Sequence, residues 1–241
     1  MSEQLIPKKI YFCWFGRNPY PEKVRLCIES WQKFCPDFEI IKIDEDNFDV
    51  NCNDYVRQAY EAKCWAFVSD FARFYFLQKT GGIYLDTDVE TIKPLNMFLE
   101  HNAVLSCKSA YLKDGRYIFG ITSGIIGATA DHPLINRILA NYEGRSFYKP
   151  DGEMDITPIA KFLTEFCMEQ GFVLEDKLQV NDAVALYPCE YLCPEIAADD
   201  SIKITDNTYA IHYFTGSWRT PEIMTKIEEM LNNSKEGEIV V

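Results

Sequence analysis

The segment Gly81–Val89 constrains this chain more than any other part of its sequence. The glycine pair Gly81-Gly82 ends an apolar helical pattern, and the short apolar run after it predicts a buried strand. Asp86 and Asp88 follow at the end of that run. If the strand continues through the motif, its alternation places Tyr84, Asp86 and Asp88 on one side. Two carboxylates so placed repel each other, so the motif indicates either a divalent metal carrying phosphate oxygens between them or an ordinary acidic turn after a strand.

The composition narrows the class of protein. A formal net charge of -13 over 241 residues disfavours nucleic acid as a partner and disfavours a basic face for anionic lipid. A phosphorylated small molecule stays compatible with this charge, because a bound metal supplies positive charge locally. The nine cysteines are scattered among apolar residues, and the first residues are polar. These features favour reduced thiols in a cytoplasmic protein without a signal peptide.

Hydrophobic periodicity predicts an α/β fold in which strands and helices alternate over the first 90 residues. The predicted helices cover residues 22–34, 53–62, 64–79, 133–142, 157–170 and 221–231. Besides the strand that leads into the acids, the predicted strands cover residues 6–15, 38–43, 103–107, 120–128, 184–187 and 209–214. Such an order implies a largely parallel sheet, in which ligands bind beyond the carboxyl ends of the strands. No linker-like segment divides the chain, so we expect one domain over residues 1–241.

A charged pair interrupts the helix that precedes the acids. Asp70 and Arg73 are three residues apart and therefore share a helix face, in a run that is otherwise almost wholly apolar. Ionised side chains rarely occur in such a run without a specific partner. One interpretation is a structural ion pair. The other is a substrate-facing pair, in which Arg73 donates to ligand oxygens and Asp70 accepts from hydroxyls.

Two further elements are candidates for the same site. His212 is one of three histidines and ends a late strand, before a glycine loop that carries Ser217 and Trp218. A lone histidine is usually a structural residue, but here a hydroxyl and an indole N–H follow it closely. Trp14 ends the first strand, where it is either part of the core or a flat surface for a nucleobase.

Together these motifs resemble glycosyltransferase family 32, the DXD-containing sugar transferases. That family includes bacterial capsular polysaccharide and lipopolysaccharide transferases, and its core motif occurs in the catalytic domains of clostridial glucosylating toxins. The resemblance is strongest over residues 6–95 and 210–218. It is carried by Ile6-Pro7-Lys8-Lys9-Ile10 with Trp14, by Ser69-Asp70 with Arg73, by Gly81-Gly82 with Tyr84-Leu85-Asp86-Thr87-Asp88, and by His212 with Ser217-Trp218.

The resemblance implies a GT-A fold with a Rossmann-like, mostly parallel sheet, a UDP-sugar donor, Mn²⁺ or Mg²⁺, and transfer with retention. Residues 1–95 would form the nucleotide-binding half and residues 96–241 the acceptor-side half. The implied catalytic residues are Asp70, Arg73 and Asp86. The implied donor contacts are Trp14, Asp70, Arg73, Tyr84, Asp86, Thr87, Ser217 and Trp218. The implied metal ligands are Asp86, Asp88 and His212, with Ser217 as the alternative to His212.

The implied reaction moves a sugar to a hydroxyl of a growing bacterial surface polysaccharide or glycolipid, in the cytoplasm or at the inner face of the plasma membrane. One alternative is a non-catalytic nucleotide-sugar-binding component of a polysaccharide assembly complex. A glycoside hydrolase is a further alternative, but two acids on one side of a strand do not flank a bond. The family often carries Gly-Pro ahead of the acceptor-facing helix, whereas this chain has Thr157-Pro158 there.

Overall fold

The computed structural model describes residues 4–111, 117–195 and 201–216 of the chain. The helices are α1 (Glu22–Phe34), α2 (Asp54–Glu61), α3 (Trp65–Thr80), α4 (Pro133–Ala140), α5 (Ile159–Glu169) and α6 (Cys189–Leu192), with a 3-10 helix at Leu95–Glu100. The strands are β1 (Lys9–Cys13), β2 (Glu39–Ile43), β3 (Gly82–Leu85), β4 (Val89–Thr91), β5 (Ala103–Tyr111), β6 (Tyr117–Ile121), β7 (Ile125–Ala128), β8 (Gln179–Val180), β9 (Ala185–Tyr187) and β10 (Ala210–His212).

The central sheet confirms the predicted α/β fold. Its described strands follow the order β2-β1-β3-β7-β5-β9-β8, and β6 pairs with β5. Strands β1, β2, β3, β5 and β9 share one direction, whereas β6, β7 and β8 run against them. Most strands of the sheet therefore point the same way, but the pairings β3–β7, β5–β7, β5–β6 and β8–β9 are antiparallel.

Helices cover both faces of this sheet because its strands alternate apolar side chains between the two. In β1, Ile10 and Phe12 belong to a core cluster with Trp31 of α1, whereas Tyr11 packs into a second cluster with Phe74 of α3. Each cluster buries apolar surface that a one-sided sheet would leave in water. In the part of the chain that the structure describes, no helix is long and apolar enough to cross a membrane.

Local signals fix where α2 begins and where α3 ends. The Asn53 side chain caps α2 by accepting from the Val56 amide at 2.9 Å. Helix α3 ends at Gly81, whose φ of +66° favours glycine. A Cβ at Gly81 would lie 2.8 Å from the Ala130 amide nitrogen, so the following strand enters the sheet only with glycine there.

Most predicted elements agree with the structure within three residues at each end, and α1 agrees at both ends. The strand predicted from Ala103 is longer and extends to Tyr111. The helix predicted over residues 221–231 lies outside the described residues.

The single strand predicted over residues 120–128 is wrong. It is two strands, β6 and β7, separated by Thr122, Ser123 and Gly124. The Gly124 amide donates to Thr122 Oγ1 at 3.2 Å, which turns the chain between them. Beyond this turn β7 pairs with β3 and β5, whereas β5 is the only partner of β6 among the described strands. Apolar periodicity does not detect this break, because the residues on both sides are apolar.

The strand that leads into the acids does not continue through them. It ends at Leu85, and the Asp86 amide then donates to the Gly124 carbonyl at 2.7 Å. The Val89 amide donates back to the Asp86 carbonyl at 3.0 Å, so Asp86, Thr87 and Asp88 form a turn. The two carboxylates meet through this turn rather than through strand alternation.

Candidate active site

The two acids and the late histidine form one cluster at the carboxyl end of β3. Strand β10 pairs antiparallel with β4, which places His212 opposite Val89. The His212 Nε2 atom lies 3.2 Å from Asp88 Oδ1 and 3.8 Å from Asp86 Oδ2. One ligand atom from each of Asp86, Asp88 and His212 lies within 4.8 Å of the others. The structure therefore brings together the three residues that sequence reasoning proposed as metal ligands.

The charges in this cluster support one another. Burial alone would raise the pKa of Asp88, but hydrogen bonds from His212 and Thr215 outweigh it and lower that pKa to about 2. Burial alone would lower the pKa of His212, but its hydrogen bond to Asp88 and the nearby carboxylate charges raise it to about 10. Without a metal, Asp88 and His212 are therefore an ion pair at neutral pH.

The loop after β10 holds the second oxygen of Asp88. The Thr215 amide and hydroxyl each donate to Asp88 Oδ2 at 2.8 Å, and the Tyr213 amide donates to the Asp88 carbonyl at 3.1 Å. Asp88 Oδ1 remains directed toward His212. The predicted donor contacts Ser217 and Trp218 lie outside the described residues.

Arg73 joins the helix, the acid turn and the middle of the chain. Its side chain is only 4% exposed, and its Nη2 atom lies 2.8 Å from Asp70 Oδ1. Its Nη1 atom donates to the Ser123 carbonyl at 2.8 Å and lies 3.4 Å from Asp86 Oδ1, while Nε donates to the Ser69 carbonyl at 3.1 Å. One guanidinium thus fixes two carboxylates and two backbone carbonyls, a geometry that lysine cannot reproduce.

Tyr84 of β3 contacts both Asp86 and Arg73. Its hydroxyl donates to Asp86 Oδ1 at 2.9 Å, and the Arg73 guanidinium carbon lies 4.3 Å from the centre of its ring.

Asp70 is more exposed than Arg73, at 15% of its side chain. Burial raises the pKa of Asp70 to about 6, although Arg73 opposes this rise. Arg73 and Asp70 thus form a buried ion pair in which the Asp70 carboxylate is the more exposed member.

Trp14 lies at the same edge of the sheet as the acids. It directly follows β1, Asp86 directly follows β3, and the two strands are parallel neighbours. The Trp14 indole N–H donates to the Asn18 carbonyl at 2.7 Å, and its ring packs edge-on to Tyr20 at 5.0 Å. The Trp14 side chain is half-buried, as is Thr87 in the acid turn.

Sequence reasoning missed the turn Thr122–Gly124, which contacts α3, the acid turn and β10. Thr122 Oγ1 lies 3.4 Å from His212 Nδ1, and the Ser123 and Gly124 carbonyls accept from Arg73 and Asp86. A Cβ at Gly124 would lie 2.4 Å from His212 Cε1 and 2.8 Å from Asp86 Oδ2. The available signal was the Thr-Ser-Gly triplet between two apolar runs, but the prediction of one strand over residues 120–128 included this triplet.

The donor set fits a divalent cation. Two carboxylates and one imidazole suit Mn²⁺, whereas Mg²⁺ prefers oxygen ligands alone. The ligand atoms of Asp86, Asp88 and His212 converge, and glycine at position 124 leaves the space that a side chain would fill. In the metal-free protein His212 is protonated beside the Asp88 carboxylate. A bound cation would replace that proton, since His212 must be neutral to coordinate a metal.

Known proteins resemble this chain over the segment that carries Asp86 and Asp88. Residues 21–105 match the family described as the glycosyltransferase sugar-binding region containing DXD motif. An uncharacterized glycosyltransferase of Acanthamoeba polyphaga mimivirus is 29% identical over 225 residues, which cover 86% of this chain and 85% of that protein. Residues 21–105 thus resemble the sugar-binding region of the DXD-motif glycosyltransferases. The DXD motif in this region is Asp86-Thr87-Asp88.

A second relative of the chain is inositol phosphoceramide mannosyltransferase 3 of Schizosaccharomyces pombe. It is 28% identical over 140 residues, which cover 56% of this chain and 37% of that protein. The chain therefore spans only about a third of the length of this yeast relative.

Among solved structures, a glycosyltransferase involved in glycosylation of the major capsid of PBCV-1 has a TM-score of 0.47 and 12% identity, over 86% of this chain and 93% of that chain. Mouse xyloside xylosyltransferase 1 in its apo form also has a TM-score of 0.47, with 11% identity over 86% of this chain and 98% of that chain.

Proposed function

We propose that this protein is a metal-dependent, retaining glycosyltransferase that takes its sugar from a nucleotide-sugar, with a UDP-sugar as the donor. One observation carries the proposal: Asp86 and Asp88, which lie inside the matched DXD glycosyltransferase region, converge with His212 within 4.8 Å at the carboxyl edge of the sheet. Trp14 at the same edge supports a nucleobase position beside them. The donor would lie against residues 1–95 and the acceptor against residues 96–241.

The metal ligands would be Asp86, Asp88 and His212. A divalent cation bound there would supply Lewis-acid support for the leaving diphosphate. Neighbouring residues hold the ligand carboxylates in place: Tyr84 and Arg73 contact that of Asp86, and Thr215 contacts that of Asp88. Preorganised groups of this kind stabilise developing charge without reorganising during the reaction.

Asp70 and Arg73 have separate roles in the proposed reaction. The enclosed Arg73 guanidinium holds the carboxylates of Asp70 and Asp86 in place. Asp70, the more exposed partner, accepts hydrogen bonds from hydroxyls of the donor sugar. We assign no carboxylate as a covalent nucleophile, and retention would follow from front-face attack by the acceptor hydroxyl as the diphosphate departs.

The proposed acceptor is a hydroxyl of a saccharide or a glycolipid. The name of the yeast relative, an inositol phosphoceramide mannosyltransferase, supports a glycolipid acceptor. A bacterial surface polysaccharide is supported by the family 32 resemblance, whereas the two relatives named above are fungal and viral.

A donor screen tests the proposal. The protein is incubated with Mn²⁺ and each of UDP-glucose, UDP-galactose and their N-acetyl forms, and released UDP is measured. We expect release with at least one donor and none from the Asp88→Ala variant. UDP binding without turnover across donors and acceptors would instead support a non-catalytic nucleotide-sugar-binding protein. Metal-independent cleavage of a nucleotide-free glycoside would support a hydrolase.

A further inference from the structure

The Thr122 hydroxyl lies behind His212, on the side of the ring away from the two acids. Its oxygen is 3.4 Å from His212 Nδ1 and accepts from the Gly124 amide at 3.2 Å. Thr122 is 1% exposed, so water does not compete for these contacts. On the other side of the ring, Nε2 is the atom that faces Asp86 and Asp88.

This arrangement allows Nε2 to face the acids with a lone pair. A neutral imidazole has one N–H donor and one acceptor nitrogen. A hydroxyl oxygen has two lone pairs, and one of those on Thr122 is already used by the Gly124 amide. If the second accepts Nδ1–H, the lone pair of Nε2 points at the carboxylates, where a cation can bind. The reverse tautomer would place an N–H there and exclude a cation.

We propose that Thr122 is a positioning residue for the metal site, which accepts Nδ1–H of His212 and so keeps Nε2 free to coordinate a divalent cation. This inference rests on the proposed metal-dependent function. It assigns a role to a residue from the middle of the chain that neither the DXD motif nor the matched region contains. Outer-shell partners of metal-binding histidines act in this way, by fixing ring orientation and tautomer.

Two further neighbours, Phe214 and Gly124, hold the ring without selecting a tautomer. Phe214 stacks on His212 with ring centroids 3.9 Å apart and an interplanar angle of 28°, which fixes the plane. Gly124 fits against the Cε1 edge, where a Cβ would lie at 2.4 Å. The Cys193 thiol also hydrogen bonds to His212 and is the rival candidate for the same role. Variants at Thr122 and Cys193 separate the two candidates.

The test measures Mn²⁺ affinity of the full chain, by isothermal titration with the metal alone. Thr122→Val removes the hydroxyl at nearly constant shape and should weaken Mn²⁺ binding by about tenfold to a hundredfold. Thr122→Ser keeps the hydroxyl and should restore affinity close to that of the wild type. Thr164→Val is the matched control, because Thr164 is equally buried but bonds only within α5, to the Ala160 carbonyl. Cys193→Ala should weaken binding less than Thr122→Val does.

The tautomer gives a second readout that does not depend on activity. The chain has three histidines, so imidazole ¹⁵N signals of the protein saturated with Zn²⁺, a diamagnetic cation that takes imidazole ligands, can be assigned with a His212→Ala variant. We expect a protonated Nδ1 at His212 in the wild type, and loss of that single tautomer in Thr122→Val. Wild-type Mn²⁺ affinity in Thr122→Val, with wild-type protein that binds Mn²⁺, would overturn this inference alone. Failure of the wild type to bind any divalent cation would overturn the proposed metal dependence as well.

Discussion

The Nε2 atom of His212 lies 3.2 Å from Oδ1 of Asp88, although one residue follows β3 and the other ends the last described strand. The pairing of β10 with β4 produces this contact, since it places His212 opposite Val89. The DXD motif is thus completed by a strand from the far end of the described chain. Substitutions in β4 or β10 should therefore affect metal binding before they affect the central sheet.

Asp88→Asn should remove most of the affinity for Mn²⁺. The amide keeps the shape of the carboxylate but lacks its charge, and loss of an outer-shell partner alone already costs about tenfold to a hundredfold. We therefore expect Mn²⁺ affinity, measured by isothermal titration, to fall by at least about a hundredfold. Asp46→Asn removes an exposed carboxylate that pairs with Arg17 and should bind Mn²⁺ like the wild type. Equal affinity in Asp88→Asn and the wild type would exclude Asp88 as a ligand.

Gly124→Ala should disrupt the site from the side of the middle turn. The new Cβ would lie 2.4 Å from His212 Cε1, so the ring or the turn must move. Overpacking of this kind costs about 1–3 kcal/mol of unfolding free energy, and we expect UDP release to be lost with it.

Gly120→Ala provides the control, because its Cβ would meet only Lys108 Cε, at 3.6 Å. Its unfolding free energy should change by less than about 1 kcal/mol. Both variants are compared by urea unfolding and by UDP release. Full activity in Gly124→Ala would show that the His212 position is not critical.

Arg73→Gln should destabilise the protein strongly. The substitution leaves Asp70 and Asp86 without their shared cation in a buried position, and breaking a buried pair by removing one partner costs about 3–5 kcal/mol. Arg57→Gln removes a guanidinium from exposed pairs with Asp54 and Glu61 and should cost no more than about 1 kcal/mol. Urea unfolding of the two variants makes the comparison. Similar losses in both would mean that Arg73 does not hold the acids.

The stability of the metal-free protein should depend on pH through His212. Its pKa is raised from 6.5 to about 10, so its contribution is complete below pH 6.5 and disappears as pH rises through about 10. The pKa of Asp88 is lowered from 3.8 to about 2, so its contribution is present above pH 3.8 and disappears as pH falls through about 2.

Urea unfolding in the presence of a chelator measures this dependence. The difference in unfolding free energy between wild type and His212→Ala should be larger at pH 6.5 than at pH 10. A difference that grows with pH would contradict the ion pair. Because a coordinating histidine must release its proton, Mn²⁺ affinity should rise over the same interval.

Sequence patterns predicted the elements whose signals are local. The spacing of Val24, Cys27 and Trp31 predicted α1, and Gly81 marked the end of α3 because its positive φ is a backbone requirement. The resemblance selected Asp86, Asp88 and His212 as one site, and the structure brings them together. Their roles in binding and catalysis remain predictions.

The remaining features depend on pairing between distant strands. Whether β6 and β7 are one strand or two depends on their partners β5 and β3, and no apolar pattern within Tyr117–Ala128 records that choice. The contact between Thr122 and His212 has the same origin. A hydroxyl beside a histidine from another strand leaves no mark at either position in the sequence, so it becomes visible only when the strands are placed.

Release of UDP from a UDP-sugar, followed as Mn²⁺ is removed and restored, tests the central claim that the cluster of Asp86, Asp88 and His212 binds a metal for transfer from a nucleotide-sugar. After chelation the wild-type protein should lose UDP release, and added Mn²⁺ should restore it. The Asp88→Asn variant should show no such recovery at the same Mn²⁺ concentration. Undiminished UDP release by the chelated wild type, or full recovery in the variant, would contradict this claim.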